Sequence, residues 1–126
     1  MGNILWVGLG GFIGSIFRYA VDGFFTRVAF GSVFPYETFL VNAVGCLTIG
    51  FLAGIAESRG VFSEPIKMFL FIGLIGGFTT FSAFAFESLQ LFKESQSILA
   101  ILNLVFQPVI GLGGVWAGQT ISRFVS

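Results

Sequence analysis

Four long apolar stretches constrain the fold of this chain more than any other feature. They run approximately over residues 3–21, 38–56, 66–86 and 97–121, and most of the charged residues lie between them. A bilayer core about 30 Å thick is spanned by about 20 mostly apolar residues in a helix. We therefore expect an all-α integral membrane protein in which residues 1–126 form a single four-helix transmembrane domain.

The composition supports a membrane location and argues against an enzyme. Charged residues make up 10% of the 126 residues, against about 25% in soluble domains. The connections are too short to hold an active site in water, so we expect a multi-pass protein of the inner (plasma) membrane. The first stretch is too long for a signal-peptide core and is expected to be retained. With no histidine and only Cys46 as a thiol, a zinc site of the usual ligands is not expected.

The cationic residues give no clear orientation to the four spans, although loops rich in Lys and Arg normally stay in the cytoplasm. They divide three and three between the two sides: Arg59, Lys67 and Arg123 against Arg18, Arg27 and Lys93. A chain without a charge bias inserts both ways, and two orientations allow an antiparallel homodimer. A single orientation remains open if one residue near a helix end, such as Arg18, belongs to the other side.

Glycines spaced for close helix packing occur in every span. The pairs four residues apart are Gly10 and Gly14, Gly50 and Gly54, Gly73 and Gly77, and Gly114 and Gly118. Helices in lipid associate through packing, and small residues allow their backbones to approach. The pattern predicts tight packing without identifying the partner helix.

The third apolar stretch contains a poor helix centre, Gly76-Gly77-Phe78-Thr79-Thr80. This run predicts a break near the bilayer midplane. A break frees carbonyl oxygens, which at that depth must face a cavity, another chain or an ion. A hard cation such as Na⁺ would satisfy them. The alternative is a continuous helix whose threonines bond back to their own turn.

Aromatic and hydroxyl side chains follow this run. Phe81 and Phe84 are three residues apart and share a helix face. The positive edges of aromatic rings can contact an anion, although such pairs are also common in ordinary packing. Thr79, Thr80 and Ser82 add hydroxyls near the same level. These hydroxyls strengthen the case for contact with a small anion, and ordinary core packing remains open.

Asn42 marks the second span as part of a site. It lies among apolar residues, and an amide in hydrocarbon is costly unless it bonds across helices or to a substrate. We place Arg18 and Glu87 near helix ends, as interfacial anchors or helix-end partners. With no charge at a span centre, a proton-driven exporter built on a membrane carboxylate is disfavoured.

These residues together resemble the Fluc (CrcB) family of fluoride channels over nearly the whole chain. Four pieces carry the resemblance: Gly10-Gly11-Phe12-Ile13-Gly14-Ser15-Ile16-Phe17-Arg18, Thr38-Phe39-Leu40-Val41-Asn42-Ala43-Val44-Gly45, Gly76-Gly77-Phe78-Thr79-Thr80-Phe81-Ser82-Ala83-Phe84 with Glu87 after it, and Val115-Trp116-Ala117-Gly118. The glycine, threonine and phenylalanine run is the most specific of them.

The resemblance implies passive, chloride-rejecting export of toxic fluoride through two pores of an antiparallel homodimer, with lipid around it and no nucleic-acid partner. It also implies a central structural Na⁺ bound by backbone carbonyls of both copies. Matched by motif, those carbonyls belong to Gly76 and Thr79. The pore residues implied in the same way are Asn42, Phe81, Phe84, Ser82 and Thr80.

The chain departs from the family pattern at the polar positions of the passage. Many relatives carry Thr where this chain has Ala83, and Tyr and Ser where an ungapped alignment places Asn103 and Gln107. Amides can still donate to an anion, so conduction is compatible with these changes. Two other functions remain open, a small dual-topology multidrug exporter and a nonconducting membrane assembly subunit. The exporters resemble one another through a glutamate in span one that this chain lacks, and a scaffold leaves Asn42 unexplained.

The even distribution of cationic residues predicts that the chain inserts in both orientations. Reporter domains fused separately to the two termini should each be detected on both faces of the membrane. A terminus that is found on one face alone would contradict dual topology.

Overall fold

A computed structural model describes residues 1–29 and 31–126 and contains four membrane-length helical spans. They are Gly2–Val28, Tyr36–Arg59, Glu64–Lys93 and Ser97–Val125. The described residues contain no β-strand, so the all-α, four-span prediction is confirmed. Each span extends beyond its apolar stretch at one or both ends.

The third span is built from several segments, unlike the other three. The helices are numbered along the chain as α1 (Gly2–Val28), α2 (Tyr36–Arg59), α3 (Glu64–Lys67), α4 (Gly76–Phe78), α5 (Phe81–Lys93) and α6 (Ser97–Val125). A π-helical segment, Met68–Ile75, joins α3 to α4. This π-helical segment was not expected from the sequence.

A break separates α4 from α5, as predicted. Thr79 has φ −83° and ψ 160°, and Thr80 has φ −152° and ψ 121°, so both residues are extended. The alternative of a continuous helix is therefore wrong. Gly76 and Gly77 remain helical, and the break falls on the two threonines, whose β-branched side chains suit extended backbone.

Two pairs of spans pack through direct backbone contact. The helix α1 packs on the π-helical segment and α4, while α2 packs along α6. A Cβ atom added to Gly14 would lie 2.9 Å from the Phe78 amide nitrogen. One added to Gly118 would lie 2.6 Å from the Phe51 amide nitrogen. The glycine pattern thus correctly predicted close packing, and these contacts fix α4 on α1.

The connections between the spans are short. Gly60 ends α2 in the left-handed conformation, with φ 59° and ψ 26°. Its amide donates to the Ala56 carbonyl. A tight turn through Ser95, which has φ 61°, joins α5 to α6. The two halves of the third span pack on different helices: the first half packs on α1 and the second half on α6.

The contact between α2 and α6 predicts a strong effect of a single methyl group. Gly118→Ala should lower the free energy of unfolding by about 1–3 kcal/mol, because the added Cβ overlaps the backbone of α2. Gly113→Ala is the matched control, since nothing lies within 4 Å of its added Cβ. Thermal unfolding in detergent, followed by circular dichroism, measures the difference. Equal stability of the two variants would contradict this packing.

Candidate functional site at the helix break

The side chain of Asn42 holds the break in place. The Thr80 amide donates to Asn42 Oδ1 at 2.9 Å, and Asn42 Nδ2 donates to the Thr80 carbonyl at 3.0 Å. Asn42 Nδ2 also donates to Gln107 Oε1 at 2.9 Å. Both amide hydrogens of Asn42 therefore have acceptors. The structure places Asn42 beside the break, and its amide bonds across helices.

The break leaves carbonyl oxygens without their regular helical donors. In a continuous helix the Thr80 amide would donate to the Gly76 carbonyl, and the Ala83 amide to the Thr79 carbonyl. Here the Thr80 amide is taken by Asn42, and the Ala83 amide donates to Thr80 Oγ1 at 3.2 Å. Gly76 and Thr79 are the two residues expected to offer carbonyls to a cation. Freed oxygens of this kind fit a hard ion.

One charged group lies next to these oxygens. Arg18 Nη1 is 3.5 Å from the Thr79 carbonyl oxygen, which is long for a strong hydrogen bond. Arg18 lies well within α1 rather than at its end. The expectation that it is an anchor at a helix end is therefore wrong.

Four of the five expected pore residues meet in one cleft of about 600 Å³ on one side of the break. Its lining includes Asn42, Thr80, Phe81 and Phe84, together with Gln107. The rings of Phe81 and Phe84 are 5.8 Å apart and tilted by 55°. Phe84 is buried, whereas 78% of Phe81 is exposed. The cleft thus combines ring edges with a few polar groups.

The fifth residue, Ser82, lines a second cleft of about 710 Å³. Thr80 lines this cleft as well, and Ser82 Oγ lies 3.3 Å from Thr80 Oγ1. Arg18 and Glu87 are part of the same lining. Since Thr80 belongs to both clefts, the two openings converge at the break.

Glu87 is another residue whose expected position needs correction. It lies midway along α5 rather than near a helix end. Thr38 Oγ1 donates to Glu87 Oε1 at 2.6 Å, which ties α5 to the start of α2. Among the described residues, Glu87 Oε2 is buried and has no hydrogen-bond partner. Thr38 was not among the expected site residues, although it is a hydroxyl at the start of an apolar stretch.

A buried series of polar side chains continues from Asn42 between α5 and α6. Gln107 Nε2 donates to Asn103 Oδ1 at 2.8 Å, and Asn103 Nδ2 donates to Ser88 Oγ at 2.9 Å. Ser88 Oγ then donates to the Phe84 carbonyl at 2.8 Å. Asn103 and Gln107 were expected only as departures from a family pattern, and Ser88 was not among the expected site residues. The criterion applied to Asn42, an amide in an apolar span, would have selected both amides.

Comparison with known proteins gives a consistent result. The family described as "CrcB-like protein, Camphor Resistance (CrcB)" matches residues 5–119. A protein of Methylobacillus flagellatus named "Fluoride-specific ion channel FluC" is 44% identical over 118 residues, covering 94% of this chain and 92% of the relative. The protein of the same name from Nitratidesulfovibrio vulgaris is 41% identical, covering 99% of this chain and all of the relative. That from Flavobacterium psychrophilum is 38% identical, covering 98% of each.

The match covers nearly the whole chain, including the break and the helices α1 and α2, which contact it through Arg18 and Asn42. The four spans confirm the expected multi-pass membrane protein, a location that in bacteria means the inner membrane. Relatives named as channels confirm the expectation that the chain is not an enzyme. On these matches and on the motifs at the break, the chain belongs to the CrcB family.

Proposed function

We propose that this chain is a subunit of a fluoride channel that lets fluoride leave the cell passively. The observation that carries the proposal is the convergence of two clefts at Thr80, beside the exposed ring of Phe81. Relatives of nearly the same length carry the name of a fluoride-specific channel. A passage in mid-membrane suits a channel better than a scaffold.

The groups around the break suit a small anion that must shed water. Positive ring edges of Phe81 and Phe84 and the hydroxyls of Thr80 and Ser82 can replace part of its hydration. None of these four groups carries a full charge, so they do not themselves hold an anion too tightly to leave. Arg18 and Glu87 are the charged side chains already described in the lining of the second cleft. Asn42 also lines the pathway. Both its amide hydrogens are already bonded, so its role there is to keep Thr80 in place.

The proposed assembly is an antiparallel homodimer with two pores. Phe81 and Ser82 are exposed on a single copy, and so is Gly76. An inverted second copy packed on this face would cover these residues and close the two converging clefts of each chain into one passage. Two-fold symmetry then repeats the passage, which gives two pores. The even distribution of cationic residues is compatible with the two orientations that such a dimer requires.

The same symmetry supports a structural Na⁺ at the centre of the dimer. The carbonyls of Gly76 and Thr79 have lost the amides that would bond them in a continuous helix. Two copies would bring together a pair of such oxygens from each chain. Oxygen ligands of this kind suit a hard cation. The ion would hold the breaks of the two copies together and need not move during conduction.

Fluoride efflux from liposomes tests the function. Purified protein is reconstituted into vesicles loaded with potassium fluoride, and valinomycin is added to balance the charge. A channel should release fluoride at once without an energy source and should retain chloride in matched vesicles. A proton-coupled exporter would need a proton gradient, and a nonconducting subunit would release nothing. Either of those two results would overturn the proposal.

Two substitutions at the break should reduce fluoride flux while the dimer remains intact. Phe81→Ile removes a ring edge from the pathway, and Asn42→Ala frees the Thr80 backbone. We expect each to lower the efflux rate by about tenfold, which corresponds to a barrier higher by about 1.4 kcal/mol. Phe124→Ile, at an exposed position near the end of α6, is the control and should conduct normally. Wild-type flux in both pathway variants, with dimers seen by chemical cross-linking, would reject these assignments.

The proposed sodium site predicts that Na⁺ stabilises the dimer. A ligand that binds only the assembled state raises its stability. The melting temperature of purified protein should therefore be lower in N-methylglucamine chloride than in sodium chloride of the same ionic strength. Equal melting temperatures in protein purified throughout without sodium would count against the site.

A further inference from the structure

The hydrogen bonds beside the break form one continuous linear series, in which each group donates to the next. It starts at the Thr80 amide, which donates to Asn42, and each side chain then donates to the next. The remaining members are Gln107, Asn103 and Ser88, and the last donates to the Phe84 carbonyl. Both ends are therefore backbone groups at the start of α5.

The two ends fix the orientation of every side chain between them. A carbonyl can only accept, so Ser88 must donate to Phe84 and accept from the nitrogen of Asn103. Asn103 then turns its oxygen toward Gln107, which must offer its nitrogen. A backbone amide can only donate, so Asn42 must turn its oxygen toward Thr80. Reversing one amide would set oxygen against oxygen or nitrogen against nitrogen.

Burial makes this order costly to break. Asn103 is fully buried, and Ser88 and Gln107 are 3% and 8% exposed. Water therefore cannot readily replace a lost partner within the series, and a buried amide left without a partner is destabilising. The orientation of Asn42 is thus tied to residues on α6 that lie further from the break.

We propose that Gln107, Asn103 and Ser88 are positioning residues that hold the Asn42 amide in the one orientation able to bind both polar groups of the Thr80 backbone. This inference rests on the proposed function, because it assigns these residues to the geometry of the ion pathway. Asn103 and Gln107, at which this chain departs from the family pattern, then position Asn42 instead of donating to the anion themselves. Here the amides act on the pathway through Asn42.

A double-mutant cycle separates positioning from a general effect on packing. Gln107→Met keeps the length of the side chain and removes its hydrogen bonds, so fluoride efflux should fall by about tenfold. In an Asn42→Ala background the same substitution should change efflux less than about twofold, because its target is already gone. Gln119→Met, on the same helix and outside the series, is the control and should conduct normally.

Amide hydrogen exchange tests the positioning without relying on fluoride flux. The chain has three asparagines, Asn3, Asn42 and Asn103, so selective ¹⁵N labelling gives a simple spectrum. The side-chain amide hydrogens of Asn42 should exchange with water far more slowly than those of exposed Asn3. Ser88→Ala, which removes one oxygen, and Gln107→Met should each speed exchange at Asn42 by about tenfold.

The outcomes distinguish the two proposals. Unchanged exchange at Asn42 in both variants would overturn the positioning role, whatever the flux. Equal loss of efflux from Gln107→Met with and without Asn42→Ala would also overturn it. If the wild-type protein releases no fluoride but exchange at Asn42 responds as expected, the positioning stands and the channel function fails.

Discussion

The two hydrogen bonds between the Asn42 side chain and the Thr80 backbone are the interaction on which the rest of the site depends. Extended residues in mid-membrane leave polar backbone groups that lipid cannot satisfy. Asn42 satisfies both groups of Thr80 at once. This makes the break stable enough to keep α4 and α5 as separate helices. The freed carbonyls, the exposed ring of Phe81 and the two clefts all follow from that separation.

The frame around this contact is set by helices that touch through their backbones. Gly14 and Gly118 lie where a side chain would overlap the neighbouring helix. The helix before the break is thereby fixed on α1, and α2 is fixed along α6. Asn42 on α2 and Gln107 on α6 can then meet at hydrogen-bond distance. Precise polar contacts thus depend on glycines that form no polar contact themselves.

Much of this architecture could be predicted from the sequence, because lipid imposes simple rules. Apolar length predicted the four spans, and the run from Gly76 to Thr80 predicted the break. The exact place of the break could not be predicted, since it depends on a bond from another helix to Thr80. The same holds for the positions of Arg18 and Glu87, whose roles depend on which helices pack against them. Local pattern alone gave no sign of the π-helical segment.

The chemistry of the amide series bears on the proton gradient across the membrane. A continuous file of water or hydroxyl groups across a bilayer can pass protons by hopping, which would dissipate the proton gradient. Amide groups neither take up nor release a proton readily at neutral pH. Asn42, Gln107 and Asn103 stand in sequence along the buried polar series. The three amides are therefore poor relays for protons, whereas Ser88 contributes a hydroxyl at the far end of the series.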